Sequence, residues 1–202
     1  MKKFLKHAFL SCSILSTQLT IAQNGVTLGE PSFMGNGCNR GTASASITED
    51  GQTLSILFDD YIAEAGGNLR RQQDRKHCNI GIPVMVPPGH SVAVFSIDYR
   101  GFHSLPEGAE SKFAVDYFFG PRSGPRIVKK FQGPLSADFI TNNNITSQEM
   151  TWSPCGRSFL LRAVSSMNVT SNRLREQSIG SVDSADMQAG LVYHLQWRRC
   201  TR

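Results

Sequence analysis

Residues 191–199 read LVYHLQWRR, a stretch in which apolar and polar side chains alternate. A period of two is the signature of a β-strand with one buried face. The same period recurs in residues 53–58, TLSILF, where Leu54, Ile56 and Phe58 share one face. Both stretches therefore predict half-buried strands.

Six further runs rich in β-branched and aromatic residues are separated by clusters of Gly, Pro, Asn and Asp. They are residues 42–47, 80–86, 91–99, 113–119, 127–131 and 158–168. Short strands at this spacing are typical of a sandwich or a barrel. Helical periodicity nowhere exceeds about two turns, with residues 67–73 as its best candidate. We therefore predict an all-β fold, an antiparallel β-sandwich of jelly-roll type.

The sequence also predicts the central strands, the turns and the long loops of this sandwich. Residues 80–86 and 91–99 are apolar on both faces, as central strands are, and Pro83 indicates a bulge or an edge there. Glu49-Asp50-Gly51 and Pro87-Pro88-Gly89 have the composition of hairpin turns. We expect long surface loops at 64–77, 120–126 and 141–149, with the three asparagines at 142–144 as the most loop-like point.

The amino terminus has the pattern of a secretory signal peptide. Lys2, Lys3 and Lys6 precede a short apolar stretch that ends at Thr20-Ile21-Ala22. Because a bilayer-spanning helix needs about 20 apolar residues, we predict cleavage of residues 1–22 and no membrane segment afterwards. Residues 23–202 then form one secreted domain, extracellular or periplasmic.

Charge argues against a nucleic-acid partner. Loss of the three leader lysines lowers the formal net charge from +5 to +2. The remaining basic residues are scattered among acids, whereas nucleic-acid binders concentrate them in a stripe. We therefore expect a solvated surface and no nucleic acid as partner.

Four cysteines remain after signal cleavage: Cys38, Cys78, Cys155 and Cys200. An even number in an exported chain indicates disulfides, and four cysteines allow three pairings. Spacings near 40 residues do not fit a zinc site, where ligand pairs lie two to four residues apart. We favour Cys38–Cys78 and Cys155–Cys200, because each pair flanks a compact run of predicted strands.

Several short strings occur in an order that resembles a family of small secreted proteins, the domain of unknown function 4360 family. These strings are residues 37–42 (GCNRGT), 58–63 (FDDYIA), 75–78 (RKHC), 88–89 (PG), 98–101 (DYRG), 152–156 (WSPCG), 183–186 (DSAD) and 195–200 (LQWRRC). Asn39 departs from the proline that the family usually has after the first cysteine. The resemblance implies a secreted, disulfide-bonded β domain and supplies no reaction, ligand or catalytic residue.

Common catalytic signatures are absent from the sequence. It has no Gly-x-Ser-x-Gly turn, no His-Glu-x-x-His helix and no phosphate-binding Gly-rich loop with Lys. We therefore predict no catalytic residue, no cofactor and no metal. A glycosidase needs only two carboxylates across a cleft, which leaves Asp59, Asp60, Asp98 and Asp116 as an alternative to their simpler role of capping turns. Asp183 and Asp186 lack the pattern of a calcium loop, and we interpret them as turn caps as well.

A candidate binding surface is the string Asp98-Tyr99-Arg100-Gly101-Phe102-His103. It combines aromatic rings with a guanidinium at the end of a predicted core strand, and we name Asp98, Tyr99, Arg100 and His103 as its site residues. The simpler interpretation, which we favour, is a structural corner with an Asp98–Arg100 ion pair and a bulge at Gly101.

Each tryptophan precedes a cysteine by three residues, Trp152 before Cys155 and Trp197 before Cys200. We expect both indoles to gather around one disulfide in the core.

The leading functional hypothesis is a non-catalytic module that binds an extracellular or envelope polysaccharide. The alternatives are a secreted carbohydrate-active hydrolase using paired carboxylates and, less favoured, an inhibitor or effector that binds a foreign protein. The oligomeric state is left open.

Overall fold

The structure, a computed structural model, describes residues 26–119, 122–124, 126–182 and 190–200. Within these ranges the chain forms fourteen strands in two antiparallel sheets. The same ranges hold no helix with the length and apolarity needed to cross a membrane. The predicted signal peptide, residues 1–22, lies outside the described residues.

Sheet A is built around long strands from the middle of the chain. Numbered in chain order, its members are β1 (Thr27–Leu28), β2 (Ser32–Met34), β6 (Gln73–Met85), β8 (Glu110–Phe119), β9 (Arg122–Ser123), β10 (Ile127–Gln132) and β12 (Phe159–Thr170). Their order is β1-β6-β12-β8-β10, with β2 also beside β6 and β9 beside β8.

Sheet B contains the remaining seven strands. They are β3 (Ala43–Ile47), β4 (Thr53–Phe58), β5 (Ile62–Ala65), β7 (His90–Leu105), β11 (Leu135–Asn144), β13 (Ser178–Val182) and β14 (Leu191–Arg199). Their order is β3-β4-β14-β7-β13-β5, and β11 pairs with the other side of β7.

The chain passes between the sheets repeatedly. Strands β6, β7 and β8 lie in alternate sheets, and so do strands β10 to β13. Each connection between them therefore crosses from one sheet of a sandwich to the other. The predicted β-sandwich is confirmed. The prediction of a hairpin at Pro87-Pro88-Gly89 is wrong, because this turn carries the chain from sheet A to sheet B. The hairpin at Gly51 is confirmed, since β3 pairs with β4 and Gly51 has a φ of 67°.

Sequence periodicity locates strands better than it locates their ends. Strands β4 and β14 begin and end as predicted, whereas β6 begins seven residues before its predicted start at Ile80. The predicted short helix at 67–73 is a turn that leads directly into β6 at Gln73. The three asparagines at 142–144 lie in β11, because they pair with Asp98, Ile97 and Ser96 of β7.

Pro83 lies inside β6 with β12 on one side. On the other side it lies opposite the break between β1 and β2, where Gly29 donates its N–H to the Pro83 carbonyl at 2.8 Å. Pro83 therefore lies at a position of β6 that pairs with neither β1 nor β2, so the absence of its N–H removes no hydrogen bond to either strand.

The interior between the sheets is rich in tyrosine. All four tyrosines of the chain are fully buried: Tyr61, Tyr99, Tyr117 and Tyr193. Tyr61 shares a hydrogen bond of 3.0 Å with Ser165, and Tyr117 accepts one of 3.4 Å from Asn143. The hydroxyls of Tyr99 and Tyr193 have no hydrogen-bond partner among the described residues. Burial raises the pKa of Tyr117 to about 12 and those of the other three further.

Both predicted disulfides are confirmed. Cys38–Cys78 lies in the core, with both residues fully buried and their Cα atoms 5.5 Å apart. Cys155–Cys200 lies at the surface, with a Cα separation of 6.0 Å, and Cys155 is exposed. The two bridges therefore differ in access to solvent.

Candidate functional site

A groove of about 790 Å³ lies where the ends of β8 and β14 meet the start of β12. Phe119, Met150 and Phe159 are buried or half-buried residues that supply its apolar part. Its remaining lining consists of Thr151, Trp152, Ser153, Pro154, Arg157, Ser158, Leu160 and Arg198. An apolar surface with a few convergent polar groups is the usual composition of a ligand site.

Trp152 is the largest side chain in the groove and is half-buried. The guanidinium carbon of the exposed Arg198 lies 4.1 Å from the centroid of its ring. At a solvent-exposed position such a contact contributes about 0.5–1 kcal/mol. The indole and the guanidinium together therefore form a cationic platform at the side of the groove.

The segment that carries Trp152 is fixed to β7 and to Cys200, the residue that follows β14. Ser153 donates its N–H to the Val92 carbonyl at 2.8 Å, and its hydroxyl accepts the Val92 N–H at 3.0 Å. Gly156 donates to the His90 carbonyl at 2.8 Å, one residue after the disulfide to Cys200. Four attachments within four residues hold the indole in place before any ligand arrives.

Gly156 is required for this attachment. Its φ is 58°, in the left-handed region that favours glycine. A Cβ at this position would lie 3.1 Å from the Cα of Pro88, at the turn between the sheets. The Gly in the string Trp-Ser-Pro-Cys-Gly thus lets the segment approach the start of β7.

The structure separates the four residues that were predicted as a surface site. Asp98 and Arg100 lie half-buried on the outer face of sheet B, whereas Tyr99 and His103 are fully buried on its inner face. The alternation of the strand causes this split, because odd-numbered residues of this part of β7 point inward. The expectation that Tyr99 and His103 are exposed is therefore wrong, and they belong to the core.

Asp98 is paired from two other strands. The Oδ2 atom lies 3.0 Å from Nε2 of His194, and Oδ1 accepts a hydrogen bond of 2.6 Å from the Asn142 amide. Burial alone would raise the pKa of Asp98, but the bonds from His194 and Asn142 outweigh it and lower the pKa below its usual range. This triad, rather than an Asp98–Arg100 pair alone, organises the outer face of sheet B.

His103 is enclosed by two phenyl rings of other strands. Its ring centroid lies 4.0 Å from that of Phe131 and 4.8 Å from that of Phe139. Nδ1 lies 3.2 Å from the Ser111 hydroxyl. Burial lowers the pKa of His103 to about 4, so the ring is neutral at pH 7.

The other predicted carboxylates do not converge on the groove. Asp59 and Asp60 are exposed beside β4, and Asp116 forms an ion pair of 3.5 Å with Arg126. Asp183 and Asp186 lie outside the described residues. Among the residues that the structure describes, no group of three or more His, Cys, Asp or Glu side chains could hold a metal ion.

The two tryptophans do not form one cluster. Trp197 packs against the core and donates its indole N–H to the Gly51 carbonyl at 3.0 Å. Arg198, the next residue along β14, points to the other side and contacts Trp152. The prediction that both indoles gather around the disulfide is therefore wrong, because neighbouring residues of a strand face opposite ways.

Residues 24–200 match the model of one protein family, described as Domain of unknown function (DUF4360). The chain belongs to the DUF4360 family. The resemblance drawn from the eight sequence strings is confirmed. This DUF4360 chain is also 31% identical over 178 residues to an "Uncharacterized secreted protein" of Arthroderma benhamiae, which covers 88% of this chain and 71% of the relative. A secreted relative and two disulfides agree with the predicted location in an oxidising compartment.

Two solved structures resemble this DUF4360 chain weakly. One is TmCBM61 in complex with β-1,4-galactotriose, with a TM-score of 0.28, 10% identity and coverage of 84% of this chain and 88% of the other. The second is a family 11 carbohydrate-binding module from Clostridium thermocellum in complex with a β-1,3-1,4-mixed-linked tetrasaccharide. Its TM-score is 0.21, with 11% identity and coverage of 89% of this chain and 93% of the other. Similarity at this level does not bear on the ligand of the DUF4360 chain.

Proposed function

We propose that this DUF4360 chain is a secreted, non-catalytic module that binds an extracellular or envelope polysaccharide in the Trp152 groove. The observation that carries the proposal is the fixed position of Trp152 beside Arg198, in a groove that is also lined by the hydroxyl of Thr151 and the guanidinium of Arg157. A sugar ring has an apolar face that suits an indole and a rim of hydroxyls that suits such polar groups.

Rigidity of the site supports binding. The disulfide at Cys155 and the backbone bonds to β7 order the Trp152 segment in the free protein. Ordering a loop on binding weakens affinity, so a segment that is already fixed avoids that loss.

The chemistry of the groove favours binding over hydrolysis. Among the described residues, its lining contains no Asp or Glu, whereas glycoside hydrolysis commonly uses two carboxyl groups across a cleft. Arg157 and Arg198 instead supply hydrogen-bond donors. The paired-carboxylate alternative therefore has no support at this groove.

Affinity electrophoresis in gels that contain single soluble polysaccharides tests the proposal. We expect at least one uncharged polysaccharide to retard the mature protein, and Trp152→Ala to abolish that retardation while Trp152→Phe retains part of it. Trp197→Phe serves as the matched control, because its ring lies outside the groove. Retardation by an uncharged polysaccharide that Trp152→Ala leaves unaffected, or release of reducing sugar ends by the wild type, would overturn the proposal.

A further inference from the structure

A row of cationic side chains crosses the outer face of sheet A. Arg75 of β6 lies opposite Asn168 of β12, Asn168 lies opposite Lys112 of β8, and Lys112 lies opposite Lys130 of β10. Arg75, Lys112 and Lys130 are exposed, and Asn168 is half-buried. At a strand spacing of about 4.8 Å, the four residues span roughly 14 Å. We call Arg75, Asn168, Lys112 and Lys130 the cationic row.

This arrangement opposes the stability of the fold. Like charges directly opposite each other on neighbouring strands are destabilising, and Lys112 faces Lys130 in this way. None of the three ion pairs within the described residues involves a member of the row. Glu110 lies two residues before Lys112 on the same face of β8, but it is opposite Thr170 and Gln132 and not opposite a lysine. The row thus keeps a surplus of positive charge.

The surroundings of the row suit a sugar polymer with acidic groups. A shallow concavity of about 380 Å³ is lined by Lys112, Lys130 and the acid Glu110, so that two positive charges face one negative charge. It is also lined by amides and a hydroxyl that can bond to sugar hydroxyls, from Gln73, Gln132, Asn168 and Thr170. Phe131, the one ring in this lining, is half-buried and packs against the buried His103, so its face is not free to stack on a nucleic-acid base.

We infer that the cationic row is a second binding site, which takes the carboxylate or sulfate groups of an acidic polysaccharide. The site is separate from the Trp152 groove. Along β12, Leu160 of the groove and Asn168 of the row are eight residues apart, roughly 26 Å. The inference goes beyond the function proposed for the groove and holds or fails independently of it.

The test compares a double variant, with one change in β8 and one in β10, with a control at the neighbouring lysine of β10. Lys112→Gln/Lys130→Gln removes two charges of the row, whereas Lys129→Gln removes a neighbouring exposed lysine that lies opposite the inward-facing Phe113. The probes are polygalacturonate, which carries carboxylates, dextran sulfate and uncharged dextran, each titrated at low and moderate salt. Single-stranded DNA and vesicles of anionic phospholipid are included as competing polyanions.

We expect wild-type protein to bind polygalacturonate, dextran sulfate or both, more weakly as salt increases. The double variant should lose at least tenfold in affinity, whereas Lys129→Gln should change affinity less than threefold. Which of the two probes binds identifies the acidic group. Because the double variant relieves repulsion, its unfolding temperature should equal or exceed that of the wild type. Equal binding by the double variant and Lys129→Gln, tighter binding to DNA or vesicles, or no binding by the wild type would overturn the inference.

Discussion

Arg198 lies over the ring of Trp152, with its guanidinium carbon 4.1 Å from the ring centroid. The contact joins the last strand of the fold to a segment between β11 and β12. It also leaves the indole at the surface beside a donor-rich side chain. The relation between these two residues is the basis of the proposed binding site.

The first prediction concerns Arg198 itself. Arg198→Ala should weaken polysaccharide binding at the groove severalfold, because both the donors and one side of the platform are lost. The free energy of unfolding should change by less than about 1 kcal/mol, since the contact is exposed. Arg199→Ala, a change at the next exposed residue, should leave binding unchanged. Affinity electrophoresis and urea unfolding of both variants measure the two effects.

The second prediction concerns the two disulfides. Cys155 is exposed, whereas both partners of Cys38–Cys78 are fully buried. A mild reductant under native conditions should therefore open Cys155–Cys200 first and weaken groove binding, because the bridge fixes the Trp152 segment. Mass spectrometry after timed alkylation identifies the bridge that opens. Simultaneous opening of both bridges would argue against this account.

Full removal of either bridge should also destabilise the fold. The two bridges close loops of 40 and 45 residues. On the chain-entropy model each contributes about 4 kcal/mol. Cys155→Ser/Cys200→Ser should therefore lower the free energy of unfolding by an amount of that order, as measured with urea.

The third prediction concerns acid and His103. Burial lowers its pKa from 6.5 to about 4, so the folded protein favours the neutral ring. The unfolded chain takes up a proton near pH 6.5, whereas the folded chain does so only near pH 4. His103 therefore does not lower the free energy of unfolding above pH 6.5. As the pH falls from 6.5 toward 4, protonation of the unfolded chain lowers that free energy by on the order of 3 kcal/mol.

Urea unfolding at several pH values between 7 and 4 measures this loss. His103→Phe keeps an aromatic ring between Phe131 and Phe139 and should remove most of the decrease in this interval. Asp98 contributes at lower pH, because its pKa is lowered and its bonds are lost only as the carboxylate is protonated. A variant with an unchanged slope between pH 6.5 and 4 would show that another group is responsible.

The fourth prediction compares two buried tyrosines. The Tyr193 hydroxyl has no partner among the described residues, whereas the Tyr61 hydroxyl shares a bond of 3.0 Å with Ser165. Tyr193→Phe should therefore leave stability unchanged or increase it. Tyr61→Phe should decrease stability by about 0.5–1.5 kcal/mol, the usual contribution of one hydrogen bond. Thermal unfolding of the two variants tests the contrast, and a larger loss for Tyr193→Phe would contradict it.

Much of the fold could be predicted from local patterns. The alternation in residues 53–58 and 191–199 depends only on the strand period, and β4 and β14 match it. The cysteine pairing followed from the strands that each pair encloses. The connection at Pro87–Gly89 could not be predicted, because turn composition does not tell whether the next strand joins the same sheet or the facing one.

The sites depend on register between distant strands. Arg75, Lys112 and Lys130 are scattered in sequence and form a row only because β6, β12, β8 and β10 align. Residues 91–99 are apolar on both faces, so the sequence does not show which face of β7 is buried, and Tyr99 and His103 cannot be assigned to the core from it. The string Trp-Ser-Pro-Cys-Gly did mark the Trp152 segment, but the residue that contacts its ring, Arg198, is 46 positions away.

Fluorescence titration of the Trp197→Phe variant tests the central claim most directly, because Trp152 is then the sole tryptophan. An uncharged polysaccharide that retards the wild type should shift or quench the Trp152 emission in a saturable manner, with the same dissociation constant as that measured by calorimetry. Saturable binding by calorimetry without any change in Trp152 emission would place the ligand elsewhere and contradict the account.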